Sequence, residues 1–140
     1  MITVTGHIAQ ERYRTTMNAG AHEIIADEPA AVNGGDLGPT PEELLCSALV
    51  ACTSITLRLY ADRKGWKLDS VFVRVSFKEN AERNGAFMLR EIEVSGDLTK
   101  DQRDRLIDVA NHCPIHRALT NPVTIETKFA ESNLKGAPKN

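Results

Sequence analysis

The chain has 140 residues, of which 41% are hydrophobic and 26% charged. This ordinary globular balance excludes intrinsic disorder and predicts one domain over residues 1–140. Seventeen Lys and Arg against nineteen Asp and Glu give a formal net charge of -2, and no basic stripe interleaved with aromatics appears, which argues against nucleic acid as a partner. The N-terminus, Met1-Ile-Thr-Val-Thr-Gly-His7, shows no charged region followed by an apolar one. A cytoplasmic setting is therefore expected, with the three cysteines held as thiols.

Ile2, Val4 and Gly6, then Tyr13, Thr15 and Met17, alternate loosely and break at Asn18-Ala-Gly-Ala21; His22–Ala26 resumes before Asp27-Glu-Pro29. Two or three antiparallel strands with tight turns fit this pattern. Asn33–Pro39 is a loop by composition. Thr40 then suits a helix N-cap, Pro41 the first helical position, and Glu43 completes a capping box. Helical sequence runs to about Lys64 and stops at Gly65, a length of about 35 Å.

Being apolar nearly all round, that helix should be buried on most sides. Ser47, Thr53, Ser54, Thr56 and Arg58 interrupt it, which favours a buried helix over a bilayer span. A chain this small has little mass to cover such a helix, so an oligomer is expected. Val71, Val73, Val75 and Phe77 alternate with Arg74 and Ser76, Asn84-Gly85 is a hairpin signal, and Phe87–Val94 reads as the partner strand. Thr99 caps a second helix with a stripe at Leu106, Val109, Ala110 and Cys113. A short helical turn follows over Pro114–Leu119, and Val123–Phe129 reads as a last strand. The fold class is α+β.

Each cysteine has a plain reading and a chemical one. Stepping by three or four residues puts Glu42, Leu45, Leu49, Cys52, Thr56 and Leu59 on one helix stripe. A mid-helix cysteine reads first as a small core residue, and a reactive thiolate there needs an imported cation. Cys113 is more telling. In Asn111-His-Cys-Pro-Ile-His-Arg117, the proline holds Cys113 extended and suits the first residue of a new helix. Cys113 then sits at an N-cap, where exposed amides favour a thiolate. Cys46, one turn after Glu42, reads as packing. No Cys-x-x-Cys, phosphate loop, dinucleotide fingerprint or nucleophile elbow is present.

Gly34-Gly-Asp-Leu-Gly-Pro-Thr-Pro-Glu-Glu-Leu-Leu-Cys-Ser-Ala-Leu-Val-Ala-Cys-Thr53 resembles the OsmC/Ohr family, the osmotically inducible and organic hydroperoxide resistance proteins. Pro41-Glu42 and Ala51-Cys52 have the family spacing, and Cys113-Pro114 meets its second motif. The form Cys-Pro-x-His-Arg-x-Leu at 113–119 and the stretch Ala26–Pro29 are similar to the OsmC-like branch.

The resemblance implies an intertwined homodimer, with the long central helix packed between antiparallel sheets and active sites at the dimer interface. It implies a peroxidatic role for Cys52 and a resolving role for Cys113. Glu42 would orient an arginine beside the peroxidatic thiol, supplied from an early strand by Arg14 or Arg12. The implied activity is reduction of organic hydroperoxides, and of hydrogen peroxide, through a Cys52 sulfenic acid and a Cys52–Cys113 disulfide. An external dithiol, a lipoyl-bearing protein in the family, would reduce that disulfide.

Two rivals stand beside this reading. One is a fold of the same kind that binds a small apolar ligand without peroxidase activity. The other is a metal-dependent hydrolase using His112, His116 and Cys113; Pro114 spoils their helical spacing, so no metal and no other cofactor is expected.

Overall fold

The computed structural model describes residues 1–80, 82 and 85–130. Val4–His7 (β1), Thr15–Ala19 (β2) and His22–Ala26 (β3) form an antiparallel meander in the order β1-β2-β3. Ala19 pairs with His22, so the second hairpin closes over two residues, with Gly20 at φ 62°, a left-handed position that only glycine takes without penalty. The β1–β2 ladder runs from Val4↔Ala19 to His7↔Thr16.

Beyond β3 the chain wraps around one carboxylate. Asp27 is 2% exposed, and its Oδ1 accepts the backbone N–H groups of Tyr13 (2.9 Å), Glu28 (2.8 Å) and Gly35 (3.4 Å), while Oδ2 accepts that of Leu37 (3.2 Å). Burial raises the proton affinity of this carboxylate, but the four N–H donors outweigh it and hold the group below its ordinary value. Residues 33–38 fold back tightly enough that a Cβ on Gly34 would lie 1.9 Å from the Glu28 carbonyl oxygen, and one on Gly38 2.2 Å from that of Ile25.

The helix Pro41–Lys64 (α1) begins and ends where the sequence predicts. Thr40 Oγ1 accepts the Glu43 N–H (3.2 Å) and the Glu43 carboxylate accepts the Thr40 N–H (3.0 Å), the reciprocal bonding of a capping box. Gly65 follows at φ 68°. The ribbon of Lys67–Asn80 (β4) and Gly85–Asp97 (β5) pairs Val73 with Ile92 and runs several residues past the predicted strands at both ends. The predicted turn residue Asn84 lies outside the described residues. Lys100–Ala110 (α2) carries the expected cap at Thr99, and Pro114–Thr120 (α3) follows.

The described chain forms two compact units, one built on Met1–Leu44 and the other on Leu45–Thr124. In the second, Leu57 and Ala61 of α1, Leu68 of β4, and Leu106, Val109 and Ala110 of α2 make the core. Val71, Ile92, Val94 and Trp66 pack against it. The helices thus cover one face of the ribbon, whose other face carries Arg74, Ser76 and Glu91.

Within the single chain α1 buries one row, Leu49, Thr53, Leu57 and Ala61, and leaves Ile55 and Leu59 58% and 64% exposed, since a chain of this size has too little mass to cover the helix on every side. By length and composition α1 is apolar enough to cross a membrane; within Leu45–Thr124, α2 and the ribbon supply the core partners of its buried row. Two expectations need correction. Residues 122–130 form no strand in the single chain and are exposed, pairing with no strand among the described residues. Arg12 and Arg14 stand in the β1–β2 connection and not on a strand, so alternation does not set their faces. There the Tyr13 N–H goes to Asp27 and not to a ladder.

Candidate active site

Cys113 occupies the position its sequence context predicts. It is the N-cap of α3 with φ -64° and ψ 142°, Pro114 takes the first helical place, and its Sγ accepts the His116 N–H at 3.2 Å. The thiol is fully buried. The residues between α2 and α3 continue as tight turns, with Asn111, His112 and Cys113 N–H groups bonded to the carbonyls of Asp108, Val109 and Ala110. His116, one turn on, is partly buried. Burial, then the Arg90 guanidinium and His112, hold its imidazole below the ordinary histidine value.

Arg90 fastens this junction. It sits in the inward row of β5 with Met88, Ile92 and Val94. Its Nη1 donates to Thr53 Oγ1 (3.1 Å) and to the Ala110 carbonyl (3.2 Å), and its Nη2 donates to Asn111 Oδ1 (2.9 Å). One guanidinium therefore joins the middle of α1, the end of α2 and the approach to Cys113. Sequence reasoning missed it, although the signal was there: a lone charge at an inward position of an alternating strand needs buried partners.

Cys52 does not belong to the core. It is partly exposed and lies off the buried row, on the stripe that carries Leu49 one turn before it and Thr56 one turn after. Leu49 borders a cavity of 390 Å³ with Leu45, Phe77, Phe87, His116 and Leu119. Thr56 borders a second, of 380 Å³, with Tyr60, Arg63, Arg105, Val109 and His112. Along α1, Cys52 thus lies between a residue of one cavity and a residue of the other, and is itself in the lining of neither. Cys113 likewise lies in sequence between His112, which lines the second cavity, and His116, which lines the first.

All three cysteines are free, Cys46 being partly exposed. Glu42 is exposed in the first turn of α1. Ten residues of helical rise, about 15 Å, separate it from Cys52, so it does not touch that thiol along its own helix. Arg12 and Arg14 are exposed, and their side chains make no hydrogen bond or ion pair with the described residues. The site residues drawn together are Thr53, Arg90, Asn111, Cys113 and His116. Among the described residues no three His, Cys, Asp or Glu side chains gather closely enough for a metal ion, so His112, His116 and Cys113 do not converge as the hydrolase rival requires.

No curated protein matches the chain in sequence. Solved structures do share its fold. The OsmC-like protein of Mycoplasma pneumoniae superposes with a TM-score of 0.74 at 20% identity, over 86% of this chain and 87% of that one. The organic hydroperoxide resistance protein OhrB of Bacillus subtilis does so at 0.59 and 22%, over 84% and 89%. An organic hydroperoxide resistance protein OsmC of Legionella pneumophila gives 0.62 and 20%, over 84% and 88%. The sequence model of the OsmC-like protein family matches residues 34–128, a span that holds both cysteine motifs, the capping box of α1 and Arg90. This chain belongs to the OsmC-like protein family.

Proposed function

We propose that the protein reduces organic hydroperoxides by thiol chemistry, with Cys52 as the attacking thiol and Cys113 as the resolving one. The observation that carries this reading is the position of Cys52: outside the core and next to Thr53, whose hydroxyl is tied through Arg90 to the segment entering Cys113. A thiol meant only for packing has no need of such surroundings. The similarity to organic hydroperoxide resistance proteins supports the same chemistry.

In the first step the Cys52 thiolate attacks the distal oxygen of ROOH, the O–O bond breaks, and the alkoxide leaves as ROH after taking a proton. Cys52 becomes a sulfenic acid. The Cys113 sulfur then attacks the Cys52 sulfur, water leaves, and a disulfide forms. An external dithiol, of the lipoyl type, reduces it by exchange and is itself oxidised to a disulfide. Arg14 or Arg12 stabilises the Cys52 thiolate and Glu42 orients that arginine.

The working form is a homodimer: Ile55 and Leu59 leave an apolar face of α1 open, and a second copy covers it. The setting is a reducing cytoplasm, where the thiols are regenerated. The test counts free thiols under denaturing conditions before and after one equivalent of an alkyl hydroperoxide, with peptide mass analysis. A fall from three to one, with Cys52 joined to Cys113, is the expected result. Three surviving thiols would remove peroxidase activity and leave a fold that binds a small apolar ligand, for which the 390 Å³ cavity is suited.

A further inference from the structure

Asp27 fastens two stretches of chain that are remote in sequence. Its own N–H donates to the Pro39 carbonyl at 3.1 Å, two residues before Pro41 opens α1. Its Oδ2 accepts the Leu37 N–H from the same approach to the helix. Its Oδ1 accepts the N–H of Tyr13, 14 positions back. The Tyr13 stretch carries Arg12 and Arg14; the Leu37–Pro39 stretch leads to Glu42. Both belong to the unit built on Met1–Leu44. An N–H bonded to a carboxylate is held about twice as strongly as one bonded to a neutral oxygen, so the charge of Asp27 matters as well as its place.

The two arginines are not anchored alike. Tyr13 is fixed at both of its backbone polar groups: its N–H lies 2.9 Å from Asp27 Oδ1, and its carbonyl accepts the Thr15 hydroxyl at 3.2 Å. Thr15 is fixed in turn by pairing with Ala26, the residue directly before Asp27. Arg14 therefore stands between two anchored neighbours, and both anchors end on residues 26 and 27. Arg12 has an anchored neighbour on one side only; on the other lie the bends that leave β1. A long side chain acts on a reacting atom only as well as its backbone is placed, and a misplacement of about 1 Å is worth up to about a hundredfold in rate.

We infer that Asp27 is a positioning residue: by holding the Tyr13 amide and the approach to α1, it sets the place from which Arg14, rather than Arg12, serves the Cys52 thiolate. The inference rests on the proposed activation of Cys52 by an arginine and deepens it, naming the arginine and what fixes it. Asp27 itself touches no reacting atom, because its two oxygens are taken by four backbone amides.

The readout is the rate at which iodoacetamide alkylates Cys52 in the reduced protein at pH 7, since the thiolate is the reacting form. Fragment masses separate Cys52 from Cys46 and Cys113. Arg14→Gln should slow Cys52 tenfold or more, and Arg12→Gln by less. Asp27→Ala, which keeps Arg14 but removes its anchor, should slow it fivefold or more. Asp27→Asn retains one acceptor oxygen and should slow it about threefold; it decides alone if Asp27→Ala does not fold. Cys113, fully buried, is the internal control. A substitution that merely loosens the fold exposes Cys113 and speeds its alkylation, whereas loss of positioning slows Cys52 and leaves Cys113 as it was. Full Cys52 reactivity in the Asp27 variants beside a slow Arg14→Gln, or a faster Cys113 in those variants, would overturn the role of Asp27 and leave arginine activation standing. A larger loss in Arg12→Gln than in Arg14→Gln would overturn the choice of arginine. Full reactivity in both arginine variants would remove arginine activation from the mechanism, and this inference with it.

Discussion

Arg90 Nη1 lies 3.1 Å from the hydroxyl of Thr53, the residue that directly follows Cys52. The two are 37 positions apart in sequence, and the same guanidinium reaches Ala110 and Asn111, just ahead of Cys113. Replacing it by the similarly long but neutral Met leaves a buried carbonyl and an amide without their donor. Arg90→Met should cost about 2 kcal/mol, the scale of a bond to a charged group, measurable as a lowered urea midpoint. It should also slow disulfide formation after peroxide, so that a Cys52 sulfenic acid persists long enough to be trapped by dimedone. Unchanged stability with unchanged resolution would remove Arg90 from the site.

The cap at Cys113 makes a separate prediction. Cys113→Ser keeps an acceptor for the His116 N–H, whereas Cys113→Ala leaves that amide bare at the start of α3. The Ser form should be more stable than the Ala form by about 1 kcal/mol, the usual worth of an N-cap. Denaturant unfolding of both, in reducing buffer, measures the gap; the reverse order would mean that α3 does not depend on its cap.

His116 links the same region to pH. Its imidazole is held below the ordinary histidine value, so the unfolded chain takes up the proton first as pH falls. Stability is therefore full above the unfolded value of about 6.5 and declines as the pH drops below it toward the lower folded value. His116→Gln should flatten that decline. Urea midpoints of wild type and variant between pH 7.5 and pH 5 provide the measurement, and identical slopes would contradict the burial of this ring.

Asp27 acts at lower pH. Because its folded value is depressed, the carboxylate contributes stability above the unfolded value of about 3.9, and that contribution is lost as the pH falls through the folded one. Asp27→Asn keeps the size but can offer only one acceptor oxygen to four N–H groups. Hydrogen exchange at the Gly35 and Leu37 amides should accelerate in that variant at neutral pH, while amides in α2 stay protected. Equal protection in the two proteins would show that the loop holds without its carboxylate.

Much of this architecture could be read from local signals. The start of α1 followed from Thr40, Pro41 and Glu43, the cap at Cys113 from Pro114, and α2 from the row Leu106, Val109 and Ala110, because each depends on residues within two turns. What failed depended on the rest of the chain. The segment Val123–Phe129 has the alternation of a strand, yet a strand exists only beside another, and no strand among the described residues pairs with it. Arg12 and Arg14 were expected on a strand face until the Tyr13 amide turned out to serve Asp27 across 14 positions. Arg90 was overlooked for the same reason: its partners are 20, 21 and 37 positions away. Cys52 reads locally as core, and only the tertiary arrangement shows that the core row passes through Thr53 instead.

The fold of residues 33–38 against Glu28 and Ile25 also bears on how this protein can vary. Backbone meets backbone there with no room for a single methyl group, while Val32 beside it is half exposed. In a library of random substitutions scored only for folded protein, Val32 should accept nearly every residue and Gly34 and Gly38 almost none. The loop would then show two intolerant positions beside a free one, a selection signature set by steric exclusion of a methyl group from a backbone-to-backbone contact.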